Sequence, residues 1–117
     1  MEDIFKISLL LDFYGQMITK RQYEILDLHY NNDYSLGEIA QILNISRQGV
    51  YDNIKRGKAA LFEMERKLGL VARFSRQKDK ASEILSLLEC IDMASLPDKD
   101  SRCIEKVTEI VKSILED

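Results

Sequence analysis

Five side chains within twelve residues carry the chemistry this chain offers most plainly. Arg47 can take the O6 and N7 edge of a guanine, and Gln48 the N6 and N7 edge of an adenine. Lys55, Arg56 and Lys58 suit phosphate oxygens. Val50, Ile54 and Leu61 would share one side of a helix turning about 100° per residue. On that helix Gln48, Asp52, Lys55 and Ala59 point the other way, with Tyr51 on the flank and Ser46 and Arg47 at the start. The candidate binding set is therefore Ser46, Arg47, Gln48, Tyr51, Asp52, Lys55, Arg56 and Lys58. Asp52 is the awkward member: a carboxylate on that face repels phosphate unless it accepts from a cytosine amine. Gly49 weakens the first turn but allows close backbone approach.

Other chemistries find less support. His29 is the single histidine, and no carboxylate pair or nucleophile–base spacing accompanies it. Asp98-Lys99-Asp100 reads as loop and cap. Cys90 and Cys103 are too few and too far apart for a metal knuckle or redox pair. They are expected as a buried thiol and a helix-face thiol in a reducing cytoplasm. No catalytic residue, metal ligand or cofactor is expected.

The elements that must position the basic face lie just upstream. Ser35 followed by Glu38 is a capping box, so a helix should open there. Ile39, Ala40, Ile42 and Leu43 form its apolar side, with Ala40 small where another helix would press. Asn44 tolerates the left-handed conformation that ends a helix. Ile45 tucks inward, and Ser46 caps the next helix. Residues 35–58, SLGEIAQILNISRQGVYDNIKRGK, thus read as a helix-turn-helix unit.

The remaining pattern is helical throughout, so the fold class is all-α: a helix-turn-helix domain over residues 1–70 and a helical C-terminal extension over 71–117. A first helix, residues 2–14, is apolar around most of its circumference. It should meet either a second subunit, making a homodimer, or the C-terminal helices of its own chain. A second runs from Thr19, with Gln22 closing a capping box, to about Asn31. Tyr23, Leu26 and Tyr30 share its inner face. The helix from Ser46 continues to Gly69 along a seam of Val50, Ile54, Gly57, Leu61, Met64 and Leu68. A fifth spans about Arg73 to Met93, with Ala81, Ile84, Leu85, Leu88 and Ile91 inward. After the break at Ser95-Leu96-Pro97-Asp98 a last helix spans about Asp100 to Glu116. Ile104, Val107, Ile110, Val111, Ile114 and Leu115 form its apolar face.

Charge is unevenly placed on a chain of net −3. Residues 46–80 hold ten Lys or Arg against four Asp or Glu, while 1–45 hold three against seven and 81–117 four against nine. A basic third beginning at the recognition helix fits phosphate binding; a solvated helix face is the bland alternative. The acidic remainder disfavours strong non-specific DNA binding. No apolar run reaches the roughly 18 residues of a membrane span, and the acids before LLLDFYG do not suit a secretion signal, so no membrane insertion is expected.

Residues 19–58, TKRQYEILDLHYNNDYSLGEIAQILNISRQGVYDNIKRGK, resemble the sigma-70 region 4 segment that reads the upstream promoter element, within the winged-helix-like DNA-binding superfamily. Sigma factors usually carry more arginine where this chain has Asp52 and Asn53, and the chain lacks a region for the other promoter element. Over essentially its full length, with LLLDFYGQMITKRQ and YNNDYSLGEIAQILNISRQGVYDNIKR as the specific strings, the sequence is identified as a member of the YlxM family of small helix-turn-helix proteins from low-GC Gram-positive bacteria. That resemblance implies a cytoplasmic regulatory DNA-binding protein and an accessory of the signal recognition particle. Its expected partners are DNA or the particle's RNA, with the particle's protein or its GTPase receptor beside them. A protein-interaction module with a vestigial DNA-reading face is the alternative, and an enzyme the third class weighed.

Overall fold

The computed structural model describes residues 4–116. They form six α-helices and no strand: α1 (Ile4–Tyr14), α2 (Lys20–Leu26), α3 (Leu36–Leu43), α4 (Arg47–Leu68), α5 (Leu70–Glu89) and α6 (Asp98–Glu116). Short 3-10 turns cover Gly15–Met17 and Met93–Ser95, and α2 runs on into a π-helical turn, Asp27–Asn31. The fold is thus all-α. The chain divides between Val71 and Ala72 into two compact units.

In the N-terminal unit α4 packs against α1, α2 and α3. Ile7, Leu10, Leu11, Tyr14, Ile25, Leu26, Ile39, Val50 and Leu61 are essentially sealed from water. Each such aliphatic side chain contributes about 1.5–3 kcal/mol of transfer free energy. Local signals set the helix ends. Thr19 and Gln22 close a reciprocal capping box on α2. At Gly57 the backbones of α2 and α4 approach so closely that a β-carbon there would lie 2.7 Å from Leu26 Cδ1.

The joint between α4 and α5 is closed by side chains. Gly69 turns left-handed (φ 63°) and ends α4. That leaves the first N–H groups of α5 without intrahelical acceptors. Leu70 N–H donates to Tyr14 Oη (3.1 Å) and Val71 N–H to Glu65 Oε1 (3.0 Å). The Tyr14 hydroxyl in turn donates to Glu65 Oε1 at 2.6 Å. Burial, reinforced by the Glu65 hydrogen bond, pushes the Tyr14 hydroxyl above its usual pKa.

The C-terminal unit is an antiparallel hairpin. Lys78 Nζ donates to the carbonyls of Ile114 (2.7 Å) and Leu115 (2.8 Å), so the early part of α5 lies beside the end of α6. Ala81 and Val111 are buried there, while Leu85, Leu88, Ile104 and Leu115 are half-buried.

Several expectations need correction. The first helix is not buried all round: Ile7, Leu10, Leu11 and Tyr14 turn inward, but Phe5 is 80% exposed and Ile4 and Phe13 also face outward. Residues 2 and 3, assigned to it from sequence, lie outside the described residues. The second helix does not reach Asn31 as regular α-helix. Asn31 donates to Asp27 Oδ1 and accepts from the Ser8 hydroxyl of α1, and these contacts accompany a π turn. Tyr23 is exposed, its ring edge lying over Gly15 rather than in the core. Ile42 is exposed, whereas Ile39 and Ala40 are buried and Leu36 and Leu43 pack partly against the core. The seam of α4 runs as far as Met64, which packs half-buried against the core, but does not include Leu68, which is exposed. The fifth helix starts at Leu70, immediately after Gly69, and ends at Glu89, leaving Ile91 outside it. Ile84 and Ile91 are exposed, as are Val107, Ile110 and Ile114 on α6, which opens at Asp98 rather than Asp100. Cys90, expected to be buried, is exposed, as is Cys103.

Candidate nucleic-acid interface

The site is built from α3, the turn and α4. Ser35 Oγ accepts from Glu38 N–H (3.1 Å), and Glu38 Oε1 accepts from Ser35 N–H (3.0 Å). The Ser35 N–H and hydroxyl hold Glu38's carboxyl below the ordinary carboxylate range. Asn44 ends α3 in the left-handed conformation (φ 55°, ψ 46°). Asparagine reaches that region at lower cost than other residues bearing a β-carbon. Ile45 N–H returns to Ala40 O at 3.1 Å. Ser46 then caps α4, its hydroxyl accepting from Gly49 N–H at 2.9 Å. Three residues thus reverse the chain between two helices, and the buried Val50 and Ile54 press α4 onto its neighbours.

The opposite side of α4 is open. Arg47, Gln48, Tyr51, Lys55 and Arg56 are exposed, as is the capping Ser46. Arg47, Lys55 and Arg56 form no ion pair among the described residues. Arg47 lies across the start of α3, its Nε 3.8 Å from where a β-carbon on Gly37 would sit. It borders a shallow depression lined also by Ser35, Gly37, Gln41 and Asn44.

Two members of the sequence set behave differently. Asp52 is half-buried and accepts from Gln48 Nε2 at 3.0 Å. The amide that would read an adenine is therefore already engaged by the residue one turn on. Lys58 is half-buried with Nζ 5.9 Å from the centre of the Tyr30 ring, a cation–π distance. Burial lowers its pKa. It belongs to the joint between the π turn and α4 more than to the open face, against the sequence expectation. Farther along, Arg66 and Lys67 are paired with Glu63, so part of the basic stretch is locally neutralised.

Sequence reasoning missed the Gln48–Asp52 pair, though its i, i+4 spacing signals it. It also missed Tyr30, Gly37 and Gln41, which no local pattern links to Arg47 or Lys58. His29 Nδ1 lies 2.7 Å from Tyr34 O, where it fixes the loop before α3. Among the described residues no cluster of three His, Cys, Asp or Glu could hold a metal ion.

The comparisons with known proteins agree with this architecture. A family model described as "UPF0122: Putative helix-turn-helix protein, YlxM / p13 like" matches residues 1–96. A UPF0122 protein of Acetivibrio thermocellus is 58% identical over 116 residues, covering 99% of each chain. One from Desulforamulus reducens is 40% identical over 99% of this chain and 96% of its own. One from Lacticaseibacillus casei is 44% identical over 86 residues, 74% of this chain and 76% of its own.

Proposed function

Since this chain belongs to the UPF0122 family of YlxM/p13-like helix-turn-helix proteins, we propose that it is a non-enzymatic regulatory protein that binds nucleic acid through the outward face of α4. One observation carries this reading: Lys55 and Arg56 are exposed and unpaired on the side of α4 away from Val50 and Ile54, and Arg47 is exposed and unpaired at the helix's first residue, across the start of α3. Arg47 and Gln48 sit in the first turn, where base-reading side chains of such units lie, and Lys55 and Arg56 follow at phosphate-reaching positions. The sequence resemblance makes the RNA of the signal recognition particle a target beside duplex DNA. No helix of the described residues is long and apolar enough to cross a membrane, and the proposed setting is the cytoplasm.

The test is a titration of the wild-type chain and an Arg47→Ala/Lys55→Ala/Arg56→Ala variant against duplex DNA and structured RNA across a salt series. Each phosphate contact contributes about 0.9 to the slope of log affinity against log salt, so loss of Lys55 and Arg56 in the triple variant should take about 1.8 from that slope. Undetectable wild-type binding at moderate salt, or an unchanged slope in the variant, refutes the reading.

A second reading has its own observation. Asp52 holds Gln48, so the middle of the face is self-satisfied rather than poised for bases. That arrangement suits a protein partner with cationic side chains, the targeting particle's protein or its GTPase receptor by resemblance. Co-purification that survives nuclease treatment supports this reading; loss on removal of RNA rejects it.

A further inference from the structure

One flank of α4 carries rings and cations together. Tyr51, Lys55, Lys58 and Phe62 follow at spacings of four, three and four. At about 100° per residue they share one side of the helix, between the buried row and the outward face. The two rings stand about 16 Å apart along the axis, with both lysines between them. Tyr51 is 48% exposed and Phe62 39%, and neither belongs to the hydrophobic core. Tyr51 makes no hydrogen bond or ring contact among the described residues. Neighbouring elements add to the same side. Lys6 of α1 sets its Nζ 5.5 Å from the centre of the Phe62 ring, and Lys58 meets the Tyr30 ring of the π turn. The nearby acids are turned away and engaged. Asp52 lies about 100° further round the helix and is held by Gln48, and Glu63 is held by Arg66 and Lys67.

We propose that this flank binds an unpaired strand of nucleic acid, with one base stacked on Tyr51, another on Phe62, and Lys55, Lys58 and Lys6 on the phosphates. The inference rests on the reading of α4 as a nucleic-acid-binding helix, and it names a form of nucleic acid that the first turn of α4 does not require. A duplex offers base edges in its grooves, while the base faces are covered by their neighbours in the stack. On a duplex both rings would stand idle. An unpaired strand exposes those faces, and stacking on an aromatic side chain accepts any base. Cations that track the backbone and rings that hold successive bases are the two parts such a site needs, and this flank interleaves them. Three lysines at about 0.7 each give a salt slope of only about −2.1 on a single strand, so charge alone holds it weakly and the rings must supply the rest. The same site gives a use to Lys58, which the joint draws off the outward face, and to Phe62, an exposed aromatic where a straight-chain residue would suit the helix better.

Titration of the full chain at low salt tests it, against oligothymidine and oligouridine of about 12 nucleotides, within the site sizes of single-strand binders, and against duplex DNA. Tyr51→Ala/Phe62→Ala should weaken binding of the oligomers at least about 25-fold, about fivefold or more for each stacked base, while duplex affinity changes less than about threefold. If circular dichroism shows that this variant loses helix, Tyr51→Leu/Phe62→Leu, which keeps apolar bulk without a ring, is held to the same criterion. The chain has no tryptophan, so its emission is that of tyrosine, and stacking should quench it. Tyr51→Phe should keep oligomer affinity within about twofold and lose most of that quench. Lys6→Ala/Lys58→Ala should take about 1.4 from the salt slope on the oligomers and leave the slope on duplex unchanged. The tighter of the two oligomers names the sugar the strand carries. Duplex binding with neither oligomer bound overturns this inference and leaves the duplex reading of α4 standing; binding to none of the three overturns both. Equal losses on duplex and oligomers, or a Tyr51→Phe loss as large as that of Tyr51→Ala, also overturn the stacking assignment.

Discussion

Replacing Tyr14 by Phe removes one oxygen and tests how the end of α4 is held. Tyr14 is 1% exposed, and its hydroxyl both donates to Glu65 and accepts from Leu70 N–H. A hydrogen bond to a charged group contributes about 1.5–3 kcal/mol, and the change also strands the Leu70 N–H, so a loss of about 2 kcal/mol is expected. With an unfolding entropy of about 2.1 cal/mol/K per residue over 117 residues, that corresponds to a fall of about 8 °C in Tm. The effect has a pH signature. The folded-state pKa of Tyr14 lies above its ordinary value of 10.0, because the neutral phenol is favoured by burial first and by Glu65 second. Its contribution is complete below the unfolded pKa and is lost as pH rises through the folded one. The gap between wild type and Tyr14→Phe, followed by urea unfolding from pH 7 to pH 11, should therefore be flat at first and narrow above about pH 10. A gap below about 0.5 kcal/mol at pH 7, where a neutral intramolecular hydrogen bond already begins, would refute the reasoning. A gap that stays constant to pH 11 would do the same for the assignment of the titrating group.

Gly57→Ala and Gly37→Ala should shift stability in opposite directions in urea unfolding. At Gly57 the new methyl meets the buried Leu26 at 2.7 Å, so about 1–3 kcal/mol of overpacking outweighs a helix-propensity gain of about 1 kcal/mol. At Gly37 the nearest atom is 3.8 Å away, and only the gain of about 0.5–1 kcal/mol remains. Stabilisation by both would show that α2 and α4 are not pressed together at Gly57. On the binding face, Asp52→Asn keeps an acceptor for Gln48 and removes a negative charge, so affinity for duplex DNA should rise about three- to tenfold at low salt and converge at high salt. Weaker binding would instead mark the carboxylate as a contact to a cytosine amine.

The helix-turn-helix was legible in the chain because its determinants are local. Ser35 and Glu38, Asn44, and Ser46 with Gly49 each act within four residues, and periodicity alone placed Val50 and Ile54 inward. The illegible parts depend on distant partners. Tyr14 finds Glu65 51 positions away. Lys58 finds the Tyr30 ring across the joint before α3, which removed it from the open face. The π turn accompanies Asp27, Asn31 and Ser8, the last from another helix. The stripes of α5 and α6 failed differently. Hydrophobic spacing shows that a face exists but not what covers it, so Ile84 and Ile110 were assigned inward and lie in the open.

Charge arithmetic sets how strongly one copy can bind. Lys55 and Arg56, the exposed phosphate-reaching cations of α4, give a salt slope of about −1.8, well short of the six to ten phosphate contacts of strong DNA binders. An acidic chain of net −3 adds no long-range attraction to compensate. A single copy should therefore bind polyanions weakly, and with Gln48 engaged by Asp52 base discrimination falls mainly to Arg47. Binding measured on Arg47→Ala separates the contributions: lost preference between duplex sequences at an unchanged salt slope ties base reading to Arg47, whereas a slope lower by about 0.9 makes it a third phosphate contact.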